Sequence, residues 1–180
     1  MPVEVEIRGP LTERKYESLF KLLKKKGKLT KEADQLAIFF RTPQHNLSLK
    51  KDHDLEKLVL KFGDWGVGSR REIEVFLQKG HFENALSLLK ALGYTKGHHV
   101  PAFRQDFLYQ GVQISLKTKA VIGPHFEMET TVENHKMESK IKKSLLKIAK
   151  SLKLKVWTDK QYKTHTHKMW EAYHPGPEDL

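Results

Sequence analysis

The sequence predicts an α+β fold in which an antiparallel β-sheet is covered by amphipathic helices. Short runs that alternate apolar and charged residues, such as 3–8 and 70–77, are typical of strands with two different faces. Proline and glycine separate these runs and indicate turns. Three longer stretches carry apolar residues at helical spacing, at 12–26, 81–92 and 135–152.

Nine segments are predicted as strands, and a short fourth helix is predicted from about residue 161. The strands are at 3–8, 36–42, 46–51, 58–62, 70–77, 101–109, 111–118, 125–132 and 155–158. The chain has 180 residues, which fits one domain. We expect this domain to span 1–174 and the tail 175–180 to be disordered.

The composition narrows the classes of partner. The formal net charge is +11, which favours anionic partners such as phosphorylated metabolites or nucleic acid. There is no cysteine, so disulfides, thiolate metal sites and cysteine nucleophiles are excluded, and a cytoplasmic location is expected. No apolar run reaches about 18 residues, so neither a transmembrane helix nor a membrane partner is expected.

The polar faces of the predicted strands are unusually ionic. Glu4, Glu6 and Arg8 share one face of the first strand, and Glu127 and Glu129 share one face of a later strand. Two arrangements fit this pattern. The ionic faces either point to solvent from an open sheet, or converge inside a closed sheet whose apolar outer face packs against the helices. The alternation alone leaves both open.

Seven segments, taken in order, resemble the motifs of the CYTH superfamily, which includes class IV adenylyl cyclases, thiamine triphosphatases and inorganic triphosphatases. The similarity extends over about residues 3–162. The segments are Glu4-Val5-Glu6-Ile7-Arg8, Leu47-Ser48-Leu49-Lys50, Leu58-Val59-Leu60-Lys61, Arg70-Arg71-Glu72-Ile73-Glu74-Val75, Ala91-Leu92-Gly93-Tyr94, Phe103-Arg104-Gln105-Asp106 and Ile122-Gly123-Pro124-His125-Phe126-Glu127-Met128-Glu129.

The resemblance implies a closed, eight-stranded antiparallel β-tunnel with flanking helices that binds a triphosphate and Mg²⁺ or Mn²⁺. The residues that it implies as metal ligands are Glu4, Glu6, Glu127 and Glu129. Those that it implies as phosphate contacts are Arg8, Lys50, Lys61, Arg70 and Arg104. The catalytic set that it implies is Glu4, Glu6, Arg8, Lys61 and Glu129. Glu72 and Glu74 are expected to support the basic residues or a second metal.

The chain departs from the family pattern at four positions. Arg8 replaces a lysine, and because arginine does not lose its proton, a general base is not expected there. Ala102 and Ser48 stand where basic residues often occur. Lys117 stands near the place of an aspartate that assists metal binding, so a weaker second metal or a shifted substrate is expected.

The resemblance favours a metal-dependent triphosphatase that acts on a small triphosphate, as a monomer or homodimer. One alternative is cyclisation of ATP to cyclic AMP. Another is a non-catalytic module that binds polyphosphate or nucleic acid; nucleic acid is the less favoured partner, although the charge leaves it open. The pairs His165/His167 and His98/His99 are weak candidates for a transition-metal site, since neither has a third spaced ligand.

Overall fold

A computed structural model describes residues 3–40, 42, 45–62, 70–118, 122–133, 135–173 and 178–180. The strands are β1 (Val3–Pro10), β2 (Lys28–Phe40), β3 (His45–Lys51), β4 (Glu56–Phe62), β5 (Arg70–Leu77), β6 (Lys96–Tyr109), β7 (Val112–Thr118), β8 (His125–Val132) and β9 (Glu178–Asp179). The helices are α1 (Glu13–Lys26), α2 (Phe82–Ala91), α3 (Glu138–Ser151) and α4 (Asp159–Tyr173), with a 3₁₀ turn at His135–Met137 before α3.

All strand pairings are antiparallel, and the sheet is strongly curled. Its order is β2-β3-β4-β5-β1-β8-β7-β6-β9, and β2 also pairs with β6. In the described residues, β1 and β5 are joined at only two pairs, Val3 with Arg71 and Glu4 with Arg70. The predicted eight-stranded sheet with flanking helices is therefore confirmed as a curled half-barrel, and full closure into a tunnel is not reached along this seam.

The outer face of the sheet carries two apolar clusters under the helices. The larger joins β1, β6, β7 and β8 to α1 and α3, with Ile7, Phe107 and Leu145 among its buried residues. The smaller joins β2 and β3 to α2 through residues such as Leu49 and Phe82. The helices thus bury their apolar stripes on the outside of the curl, which leaves the inner face for polar side chains.

Helix α1 illustrates how local sequence fixes these elements. The side chain of Thr12 caps the helix by accepting a hydrogen bond from the backbone N–H of Lys15 at 3.2 Å. Leu19 and Leu23 are buried on one face of the helix. Three lysines fill the last turn, where cations favour the helix dipole, and the helix ends at Gly27.

Several predicted boundaries are corrected. β2 and β6 are longer than the predicted 36–42 and 101–109, and they pair with each other along most of their length. The segment 155–158, predicted as a strand, is irregular, and α4 is a full helix rather than a short one. Glu178 and Asp179 pair with β6, while 175–177 lie outside the described residues. None of the helices in the described parts of the chain is long and apolar enough to cross a bilayer.

Candidate active site

The inner face of the curled sheet encloses a cavity of about 460 Å³, here called the bore. This volume lies within the roughly 300–1,000 Å³ of typical small-molecule sites. Eight of the nine residues predicted for the site line it: Glu4, Glu6, Arg8, Lys50, Lys61, Arg104, Glu127 and Glu129. Glu72 and Glu74 line it as well. The side chain of Arg70 lies outside the described residues, although its backbone pairs with Glu4 at the start of β5.

Strand β1 shows how the sequence positions these groups. Its alternation turns Val5 and Ile7 outward into the apolar cluster and Glu6 and Arg8 inward into the bore. Glu6 is only 2% exposed and Val5 is 0% exposed, so the strand is buried on both faces. An ionic face that is buried behind helices and neighbouring strands requires partners of opposite charge or a ligand.

Carboxylates meet where β1 pairs with β8. Glu6 lies directly opposite Glu129 in the strand register, and Glu4 follows two residues along the same face of β1. The pKa of Glu129 is raised to about 7, chiefly by burial and also by the negative charges of Glu4, Glu127 and Glu6. Arg104 acts in the opposite direction but does not cancel the rise. The Oε2 atom of Glu6 is buried and has no hydrogen-bond partner in the described residues. Glu4 pairs with Lys61 and Glu6 with Arg8, each through its Oε1 atom, so the carboxylate oxygen left without a partner on this side, among the described residues, is Glu6 Oε2.

Cations surround Glu127, two residues from Glu129. Its Oε2 lies 2.6 Å from Lys117 Nζ, and its Oε1 lies 3.7 Å from both Arg8 Nη1 and His125 Nε2. Burial acts to raise the pKa of Glu127, but Lys117, Arg8 and His125 together outweigh it and hold the pKa well below its usual range. Glu127 is therefore ionised and already paired.

Two basic residues are held in place by carboxylates, which come from other strands for Lys61 and from the same strand for Arg104. Lys61 Nζ lies 2.8 Å from Glu4 Oε1 and 2.8 Å from Glu72 Oε2. Arg104 Nε lies 2.6 Å from Asp106 Oδ1 and its Nη2 donates to Ser115 Oγ at 3.1 Å. Burial acts to lower the pKa of both basic groups, but the neighbouring carboxylates raise it by more. The pKa of each group therefore lies above its ordinary value, and both groups stay charged.

Lys50 differs from the other basic residues of the bore. Burial, followed by the positive charges of Lys61, Lys117 and Lys57, lowers its pKa to about 7. An amine with this pKa is only partly protonated near neutral pH. Lys57, Lys61 and Lys117 each pair with a carboxylate, whereas the ion pairs of the described residues include none for Lys50. Lys50 is therefore the lysine of the bore that an incoming anion would stabilise most.

Helix α4 fixes Arg8. Arg8 Nη1 donates a hydrogen bond to the hydroxyl of Tyr162 at 2.6 Å, across 154 sequence positions, and Arg8 also pairs with Glu6. The irregular segment before α4 lies directly against β1, because the backbone N–H of Trp157 donates to the carbonyl of Arg8 at 2.9 Å. Gly9 allows this approach, since a Cβ there would lie 1.9 Å from the carbonyl oxygen of Lys155.

Comparison with known families agrees with this geometry. The CYTH domain family matches residues 2–161, which is nearly the whole chain. The chain belongs to the CYTH family. The family resemblance read from the motifs is thereby confirmed. A comparison with the curated proteins found no match.

Solved structures share the CYTH fold at low sequence identity. A conserved hypothetical protein from Pyrococcus furiosus superposes with a TM-score of 0.72 at 22% identity, covering 84% of this chain and 91% of that one. A putative adenylate cyclase from Vibrio parahaemolyticus gives 0.71 at 16%, covering 91% and 97%. A putative adenylyl cyclase from Hippeastrum, described as having a dominant triphosphatase activity, gives 0.61 at 14%, covering 87% and 90%. At these identities the likeness shows the fold alone.

The donor set of the CYTH bore fits a hard divalent cation. Mg²⁺ and Mn²⁺ prefer oxygen ligands, and one or two carboxylates with phosphate oxygens suffice for Mg²⁺. The unpaired Oε2 of Glu6 beside Glu129 is such a donor. Within the described residues no three acidic or histidine side chains are already gathered around one point, so the carboxylates would have to turn from their lysine and arginine partners to bind the ion. Within the same described residues, the predicted histidine pairs form no such group either.

The sequence did not single out several groups that line the bore. Lys57, Lys31 with Asp52, Gln113 and Tyr162 line it, and Lys117 was noted only as a departure from the family pattern. Alternation indicates the inward face for Lys57, which lies four residues before Lys61 on β4. The partners of Tyr162 and Gln113 depend on how α4 and β7 dock, which no local pattern reveals.

Proposed function

We propose that this chain is a divalent-metal-dependent enzyme that hydrolyses the phosphoanhydride bond of a small triphosphate inside the bore. One observation carries the proposal: eight carboxylates and seven lysine or arginine side chains, most of them on strands, line a single cavity of about 460 Å³. Buried charges pair with one another or bind a ligand or metal, and the buried Oε2 of Glu6, which has no hydrogen-bond partner in the described residues, favours a bound ion. We also propose that the seam between β1 and β5 closes around the ligand, which completes the tunnel.

Arg8, Lys50, Lys61 and Arg104 bind the phosphate chain in this proposal, with Arg70 as a further contact. Arg8 and Arg104 present planar donors that suit phosphate oxygens, and Asp106, Ser115 and Tyr162 orient them. Lys50 takes up a proton when phosphate enters, because an anion restores the pKa that its lysine neighbours depress.

Glu4, Glu6 and Glu129 hold Mg²⁺ or Mn²⁺ on the carboxylate side of the bore. They share one inward patch of β1 and β8, and Glu6 has a free oxygen there. A divalent ion bound there would withdraw charge from phosphate oxygens as a Lewis acid. Glu127, which the resemblance also implies as a ligand, has cations on both oxygens.

The reaction itself needs little covalent help from the protein. Water attacks the terminal phosphorus, the bond from that phosphorus to the bridging oxygen breaks, and a proton of the water ends on the phosphate products. The charge that builds up on the leaving oxygen is neutralised by Lys61 and the two arginines. Phosphoryl transfer depends mainly on such positioning and electrostatic stabilisation.

A second candidate is cyclisation of ATP to cyclic AMP, in which the 3′-hydroxyl attacks the α-phosphorus and diphosphate leaves. The apolar side chains Phe39, Leu55 and Val100 in the bore lining could contact a nucleobase. The Vibrio parahaemolyticus neighbour is also named a putative adenylate cyclase. Product analysis separates the two activities, because only cyclisation yields cyclic AMP.

The test is a substrate panel with Mg²⁺ or Mn²⁺, containing tripolyphosphate, thiamine triphosphate and ATP, for the wild type, Glu6→Ala and the exposed control Glu17→Ala. We expect phosphate release by the wild type and the control, and its loss in Glu6→Ala and in chelator. Salt-dependent polyanion binding without turnover, unaffected by Glu4→Ala, would instead show a non-catalytic binding module.

A further inference from the structure

Lys117 is a largely buried lysine in the lining of the bore. It lies on β7, opposite Arg104 of β6 and His125 of β8 in the strand register. Its Nζ lies 2.6 Å from Glu127 Oε2, and its side chain is 16% exposed. A lysine so enclosed needs a carboxylate partner, and Glu127 supplies it.

The surroundings of Glu127 disfavour a metal ion. Lys117 contacts one carboxylate oxygen, and Arg8 and His125 flank the other at 3.7 Å. A Mg²⁺ ion binds oxygen at about 2.0–2.1 Å, so it would have to displace the lysine from Oε2 or approach Oε1 between two basic groups. Repulsion from these cations opposes both routes.

The opposite holds at Glu129. Glu129 lies opposite Glu6 of β1 in the strand register, and Glu4 lies two residues before Glu6 on the same face. The neutral side-chain amide of Gln113 donates a hydrogen bond to Glu129 Oε1 at 2.7 Å. Arg104 Nη2 lies 3.7 Å from Glu129 Oε1, while Arg104 Nε pairs with Asp106 at 2.6 Å. A divalent ion would relieve the carboxylate repulsion here, whereas it would add to the positive charge at Glu127.

We propose that Lys117 is a permanent internal cation that takes the place of a divalent ion at Glu127, so that the bore holds one divalent ion, among Glu4, Glu6 and Glu129. This inference rests on the proposed function for the presence of a metal. Lys117 thereby acts as a specificity-determining residue: it fixes the metal stoichiometry and, together with Lys50, presents positive charge to the phosphate chain. In this proposal Glu127 is not a metal ligand, which differs from what the family resemblance implies.

The experiment counts Mn²⁺ ions per chain by the electron paramagnetic resonance signal of free Mn²⁺. The samples are the full-length wild type, Lys117→Asp, Lys117→Met and the control Lys147→Asp, whose position on α3 is exposed. We expect about one bound Mn²⁺ in the wild type and the control, and about two in Lys117→Asp, where two carboxylates would face each other. Lys117→Met removes the competing cation without adding a ligand, and we expect weak binding of a second ion.

Each outcome decides the inference. Two ions or none in the wild type would overturn it, whether or not the variants fold. A folded Lys117→Asp that stays at one ion would also overturn it. Tripolyphosphate hydrolysis by the wild type is measured on the same samples. Turnover with two bound ions would overturn the inference but support the proposed function. One bound ion without turnover would support the inference but overturn the proposed function.

Discussion

Glu127 and Glu129 lie two residues apart on the same inward face of β8, yet their environments are opposite. The pKa of Glu127 is held well below its usual range, while burial and neighbouring carboxylates raise that of Glu129 to about 7. Neither residue type nor secondary structure distinguishes them. The bore therefore has a cation-rich part around Glu127 and a carboxylate-rich part around Glu129.

Strand register produces this division. The antiparallel pairing of β1 with β8 sets Arg8 opposite Glu127 and Glu6 opposite Glu129. The first is a favourable pair and the second places like charges face to face, which destabilises a sheet unless a cation intervenes. One arginine in the run Glu4, Glu6, Arg8 therefore separates the side for which we propose a metal from the side for which we propose phosphate.

The largest effect is expected for Glu6→Gln, which removes charge from the carboxylate-rich part. Loss of a group that only supports a metal ligand costs about 10–100-fold in affinity or activity, so loss of a ligand should cost at least about 100-fold in triphosphate turnover. Phosphate release in saturating Mg²⁺ measures it. Glu17→Gln, an exposed site on α1, is the control, and equal rates in the two variants would contradict the division.

Next comes a direct comparison of Glu129→Gln with Glu127→Gln. Glu129→Gln should raise the Mg²⁺ concentration for half-maximal activity by roughly 10–100-fold, because a ligand is lost. Glu127→Gln should leave that concentration nearly unchanged but destabilise the fold by about 3–5 kcal/mol, because Lys117 and Arg8 lose a buried partner. Metal titration and thermal unfolding measure the two effects. A similar metal dependence in both variants would contradict the comparison.

The two parts should also respond oppositely to pH. Lys50 and Glu129 both have a pKa of about 7 in the free protein. As pH rises through 7, Lys50 loses its proton, so tripolyphosphate affinity should fall by up to about tenfold per pH unit. Over the same range Glu129 ionises, so Mn²⁺ affinity should rise.

Calorimetric titrations at several pH values check this prediction. Lys50→Met is the control for the pH dependence of tripolyphosphate affinity, because the dependence that remains in this variant comes from ionisation of the ligand itself. Glu129→Gln is the control for the pH dependence of Mn²⁺ affinity. If both affinities change with pH in the same direction, or if the two variants keep the wild-type dependence, the assigned environments are wrong.

The smallest effect concerns stability without ligand. The pKa of Lys50 is lowered on folding from 10.5 to about 7, so the unfolded chain binds more protons between these values and stability rises with pH there. Below pH 7 the buried charge costs its full amount. Lys50→Met should therefore raise the melting temperature at neutral pH by a few degrees, at roughly 2–4 °C per kcal/mol, and by less near pH 10. An equal gain at both pH values would rule out the charge as the cause.

Local sequence predicted much of the fold and many of the residues that line the bore. Alternation on β1 and β8 placed Glu6 and Glu129 on one kind of face because the side-chain period of a strand is fixed at two. The first part of β2 was missed because residues 28–34 are mostly polar and exposed, so that only pairing with β6 holds them in a strand.

The remaining features depend on register and docking. The contact of Arg8 with Tyr162 joins residues 154 positions apart, and the Lys117–Glu127 pair exists only because β7 and β8 align as they do. A one-residue slip in the pairing of β8 with β1 or with β7 would turn the side chains of the slipped strand to the other face of the sheet. Sequence patterns therefore indicate which residues face inward, but not which cation meets which carboxylate.

The most direct test of the division is an anomalous difference map from crystals grown with Mn²⁺ and a non-hydrolysable tripolyphosphate analogue. We expect one Mn²⁺ peak among Glu4, Glu6 and Glu129, with phosphate groups beside Arg8, Lys50 and Lys117. A Mn²⁺ peak bound to Glu127, or an analogue bound outside the bore, would contradict it.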